Sequence, residues 1–61
     1  MAFDAERAGQ AFLGQAGGDH ADAIHLVDAA EAQFRAADID RTEQLEQTRE
    51  WLRADAQRQN G

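Results

Sequence analysis

The chain has 61 residues, a formal net charge of −6, twelve acidic against six basic residues, and neither cysteine nor proline. A chain this short makes one domain at most, residues 1–61, near the lower limit for folding without disulfides or metal. Without cysteine it has no disulfide, thiolate metal centre or thiol nucleophile, and the acidic balance gives no footprint for a nucleic-acid backbone or an anionic membrane.

The negative charge is concentrated in the first half. Residues 1–30 carry five acids against Arg7, whereas residues 31–61 carry seven acids against five arginines. No apolar run approaches bilayer length, and the N-terminus lacks the basic-then-apolar form of a signal peptide, so the cytoplasm is the expected compartment. All basic residues are arginine and fourteen residues are alanine, a codon signature of a GC-rich bacterial or phage genome.

The first element, about Phe3 to Gln15, is read as a short helix with Ala5, Ala8 and Phe12 near one face and Leu13 and Ala16 beside it. Gly9 and Gly14 each cost about 1 kcal/mol relative to alanine in a helix, so this segment needs packing to persist. Gly17-Gly18 ends it, because glycine takes the left-handed conformation of a helix cap without strain.

The second element, about His20 to Ala37, opens on Asp19-His20-Ala21-Asp22, an N-cap aspartate with a carboxylate three residues later. Ile24, Val27, Ala30, Phe34 and Ala37 recur at helical spacing, and Glu31 can pair with Arg35 at i+4. Asp38-Ile39-Asp40 interrupts the stripe. Either aspartate can cap the next helix; Asp40 is favoured because Glu43 completes its box, and a helix running through 38–40 is the alternative.

The third element, about Arg41 to Arg58, has a narrower stripe of Leu45, Thr48, Leu52 and Ala56 with Trp51 on its shoulder. Glu46–Arg49, Glu50–Arg53 and Asp55–Arg58 form acid-then-arginine pairs at i+3, the lacing of a solvated face. On that reading, removing Arg49 costs well under about 1 kcal/mol.

Asp22, His25 and Asp28 fall at i, i+3 and i+6 with His20 upstream, a metal-ligand composition. His20 and His25, however, are turned roughly 140° apart on one helix, and the expectation is a polar flank with His25 beside an acid. Gly14-Gln15-Ala16-Gly17-Gly18 lacks the lysine and hydroxyl residue of a phosphate-binding loop, and no strand precedes it. Neither threonine stands in a nucleophile motif. The expectations are therefore no enzyme, no metal and no cofactor.

The stretch Gly18-Asp19-His20-Ala21-Asp22-Ala23-Ile24, with Ala30 downstream, resembles the second-helix portion of a tetratricopeptide repeat over about thirteen residues. The preceding segment departs from that pattern, with Gly14 where an aromatic is usual and Gln10-Ala11 where Leu-Gly is usual. What the two share is the grammar of a helical hairpin, and no family follows from it.

The sequence thus predicts an all-α fold: a short N-terminal helix packed across an antiparallel helical hairpin, completed by dimerisation. The expected core is Phe12, Ile24, Val27, Phe34, Leu45 and Leu52, with Leu13, Ile39 and Trp51 at its margins. The expected function is that of a small acidic protein-interaction module, an adaptor, regulator or inhibitor, with Phe3, Phe12 and Trp51 as partner-binding residues. The partner is a protein, self or heterologous, and neither nucleic acid nor membrane. The alternatives are charge mimicry of nucleic acid to block a nucleic-acid-binding protein, and a purely structural self-assembling subunit.

Overall fold

A computed structural model describes residues 2–60 and is all-helical, with no strand among them. Three helices follow one another: α1 (Ala5–Gln15), α2 (His20–Phe34) and α3 (Ile39–Asn60). At about 1.5 Å per residue, α3 is about 33 Å long and spans nearly all of the molecule's 36 Å long axis.

All three helices start the same way. Asp4, Asp19 and Asp38 each accept, through Oδ1, the backbone N–H three residues ahead: Arg7 at 3.1 Å, Asp22 at 3.1 Å and Arg41 at 3.0 Å. Each carboxylate thereby satisfies one of the donors that a helix start leaves without a partner. Two of these differ from the sequence reading. The Asp4 cap was not anticipated, and α3 is capped by Asp38, not Asp40. Asp38 is favoured because its own carbonyl also accepts the Thr42 hydroxyl at 2.8 Å and the Thr42 N–H at 3.1 Å. Its N–H donates to Phe34 O at 2.8 Å. A continuous helix through 38–40 would forfeit the Asp38 side-chain cap on Arg41 N–H, and α2 stops at Phe34, three residues short of the expected Ala37.

The α1–α2 turn is the glycine cap that the sequence announces. Gly17 and Gly18 have φ of 67° and 88°. Gly18 N–H donates to Leu13 O at 2.8 Å and Gly17 N–H to Gly14 O at 3.3 Å, the paired bonds of a Schellman cap.

Contacts between α2 and α3 run in opposite chain directions: His20 meets Asp55, Glu31 meets Arg49, and Arg41 lies over the Phe34 ring. The two helices are therefore antiparallel. Their buried apolar residues are Ala23, Val27, Leu45 and Leu52, with Thr42, Thr48 and Glu31 buried among them. Phe12, Leu13, Ile24, Phe34 and Trp51 are only partly buried and pack around this centre. The core is thus smaller than expected, and three of its expected members lie on its edge. Ile39, expected at the core margin, is 71% exposed. As the first residue of α3 it precedes the buried run Thr42–Leu45–Thr48–Leu52 and points away from it.

α1 is held to α3 by a close approach. Gly9 is buried, and a β-carbon built there would lie 2.7 Å from Trp51 Cζ3, with another ring atom nearer still. The indole therefore sits directly on the α1 backbone. A Cβ at Gly14, on the same helix, would meet nothing within 4 Å. The two glycines should consequently respond in opposite senses to alanine. Gly14→Ala should raise stability by about 0.5–1 kcal/mol through helix propensity. Gly9→Ala should lose about 1–2 kcal/mol net, because overpacking against Trp51 outweighs the same propensity gain. Thermal melts of the two variants test this, and a stabilised Gly9→Ala would refute the contact.

Candidate functional site

An open groove of about 280 Å³ lies where the three helices meet. Phe3, Ala8 and Phe12 form one wall, Ala30 and Phe34 of α2 a second, and Arg41, Gln44, Leu45 and Thr48 of α3 the floor and rim. Phe3 precedes the Asp4 cap and lines the groove together with Ala8, the hydrophobic pairing that fixes how a chain enters a helix. Thr48 turns its hydroxyl back to Gln44 O at 2.9 Å, which leaves its methyl for the apolar lining.

Among the described residues, Arg41 is the only charged one in the lining. Its guanidinium lies 5.3 Å from the Phe34 ring centroid, and it joins no ion pair among the described residues. A cation over an aromatic face is held by the ring quadrupole and keeps its outward donors available.

Of the three sequence-predicted partner-binding residues, the structure brings Phe3 and Phe12 together in the groove. Trp51 lies apart from its lining. Its ring is seated on Gly9 and covered on another side by Arg58, 5.9 Å from the ring centroid. Phe34 and Arg41 are the lining residues that sequence reasoning missed as a site. Phe34 was placed in the core because the α2 stripe does not reveal where that helix's partners end.

Two ionic clasps hold α2 and α3, the walls of the groove, together. In the first, Arg49 Nη1 donates to Glu31 Oε1 at 2.7 Å and to Asp28 Oδ1 at 2.8 Å. Glu31 also receives Arg35 Nη2 at 3.4 Å, the i+4 pair expected from the sequence. The Glu31 side chain is only 3% exposed, so these partners stand in for the water its carboxylate has lost. The Asp28 carboxylate, then Glu31, hold the Arg49 guanidinium above its ordinary pKa despite partial burial. Arg49 thus belongs to a helix interface, not to a solvated face paired with Glu46.

In the second clasp, His20 Nε2–H donates to Asp55 Oδ2 at 2.8 Å, and Arg58 Nη2 donates to Asp55 Oδ1 at 2.8 Å. An ionised carboxylate only accepts, so the proton sits on Nε2. The hydrogen bond from His20, and then that from Arg58, hold the Asp55 carboxyl below its ordinary pKa. The Asp22–His25–Asp28 cluster is not assembled: His25 is exposed and Asp28 is turned to Arg49. His20, not His25, is the histidine with an acidic partner.

Comparison with protein families, curated proteins and solved structures finds no match.

The clasps generate two tests. Arg49→Ala leaves Glu31 buried with one distant partner and should cost about 2–3 kcal/mol in urea unfolding. Glu31→Leu with Arg49→Met removes both charges and should recover most of that loss; a cost below 1 kcal/mol for Arg49→Ala, or no recovery, counts against a buried clasp. For Asp55, a depressed folded pKa means its contribution is complete above the ordinary carboxylate pKa of about 3.9 and is lost as pH falls through the lower folded value. Asp55→Asn should therefore flatten the acid limb of the stability profile below about pH 4, and an unchanged limb would show that the clasp carries nothing.

Proposed function

We propose that this chain is a small acidic protein-interaction module that acts in the cytoplasm by docking an apolar segment of a protein partner, a second copy or a heterologous protein, into the groove between its helices. The observation carrying this reading is the groove itself. Three phenyl rings, from Phe3, Phe12 and Phe34, line an open cleft on a domain with only four buried hydrophobic residues among the described residues. Leaving such rings half-covered forgoes burial worth about 25 cal/mol per Å², which a partner would recover. Phe3 and Phe12 contact the partner, and Trp51, from its seat on Gly9, fixes the helix that carries Phe12.

Binding is favoured over catalysis because the best-placed carboxylates are already engaged. Asp28 and Glu31 face Arg49, Asp55 faces His20 and Arg58, and Asp4, Asp19 and Asp38 cap helices. With a heterologous basic partner the net charge would steer the encounter, while the apolar groove would set the lifetime of the complex.

The test is affinity capture from the native host, with the wild-type chain compared against Phe3→Glu. Phe3 lies outside α1 and is 36% exposed, so this change blocks the groove with little cost to the helices. A protein recovered with wild type and lost with Phe3→Glu, at unchanged circular dichroism, is the expected result. Recovery of the same proteins by both forms would remove the groove from recognition.

A further inference from the structure

On the reading that the groove is a docking site, we infer that it takes the start of α3 from a second copy of this chain, with Ile39 as the inserted side chain. Ile39 is the most exposed of the large apolar residues among the described residues, at 71%. It stands between Asp38 and Asp40, both exposed. The segment therefore presents a branched aliphatic group with a carboxylate on either side. The groove presents the complement: an apolar lining with one cation, Arg41, that no carboxylate of its own chain engages in an ion pair among the described residues.

The chain cannot satisfy this pairing internally. At about 100° per residue, Arg41, Gln44, Leu45 and Thr48 lie about 200°, 140°, 240° and 180° around α3 from Ile39. Ile39 thus projects from the side of the helix opposite its own groove. Only another molecule can bring an Ile39 into it. Knob and groove on opposite faces make a head-to-tail contact, so each bound copy exposes a fresh knob at one end and a fresh groove at the other.

The charge of −6 on each copy opposes association, but over long distances only. With a Debye length of about 8 Å at physiological ionic strength, that repulsion is largely screened beyond the contact, whereas an Asp40–Arg41 pair at contact distance on the groove rim is weakened less. Self-association should therefore strengthen on moving from low to physiological salt.

Sedimentation velocity of the full chain over a wide concentration range, with Ile39→Glu and Phe3→Glu, tests the inference. The wild type should show a sedimentation coefficient that climbs with concentration. Each variant alone should stay monomeric, because one lacks the knob and the other the groove. Their equimolar mixture should form a one-to-one dimer and stop there, since each variant supplies what the other has lost. Should Phe3→Glu fail to fold, Arg41→Glu takes its place, with the association constant expected to fall about tenfold or more. A wild type that remains monomeric throughout, or an Ile39→Glu variant that assembles like wild type, overturns the second copy as occupant. If Phe3→Glu still abolishes capture of a heterologous protein in that case, the groove remains a docking site and only its occupant changes.

Discussion

The backbone of Gly9 lies against the ring of Trp51, and the groove depends on that approach. α1 and the Phe3 that leads into it contribute three of the groove's apolar surfaces, yet no ion pair and no hydrogen bond ties α1 to α3 among the described residues. What draws it in is apolar contact made possible by a missing side chain. The helix propensity given up at Gly9 is thus exchanged for the position of Phe12, Ala8 and the entering Phe3. A larger residue at that point would lift the wall away from Leu45 and Thr48.

The pairing of α2 with α3 is organised differently. Its apolar centre is small, with Val27, Leu45 and Leu52 as the only large members, and several residues of the interface are polar. Thr42 and Thr48 resolve their hydroxyls locally, onto carbonyls one turn back, so their methyl groups can serve as core. Glu31 cannot do so and is satisfied by Arg49 across the interface. A buried ion pair of this kind adds little net stability compared with apolar residues of the same size, but it is costly to leave half-made. Sliding α2 along α3 would strand Glu31 and part His20 from Asp55, so the two clasps penalise the wrong registers that a small apolar seam would tolerate.

Much of the fold was legible because its determinants are local. An aspartate with a free N–H three residues ahead, a Gly-Gly pair after an apolar run, and the Val27, Leu45, Thr48 and Leu52 spacing each specify structure within a few residues. The capping-box rule misplaced the α3 start because it weighed Glu43 behind Asp40 and not the backbone and hydroxyl bonds gathered at Asp38; Thr42, heading the run that continues at Leu45, was the available signal. The features of the site were less legible for one physical reason. Gly9 and Trp51, Arg49 and Glu31, and His20 and Asp55 meet across long stretches of chain, and helical periodicity says which face a residue occupies without saying what it will face. Arg49 read as a surface partner of Glu46 because both are correctly spaced; only the arrival of α2 makes Glu31 the better acceptor.

The absence of ions from the α1 contact divides the molecule's sensitivities. All five ion pairs among the described residues lie on the segment from α2 onward, so added electrolyte weakens chiefly the hairpin's exposed pairs. Excluded solutes such as sulfate act oppositely on α1, tightening the apolar seat that holds it. The cleft's shape therefore answers to the solvent's cohesion, through a single indole, while the scaffold behind it answers to ionic strength.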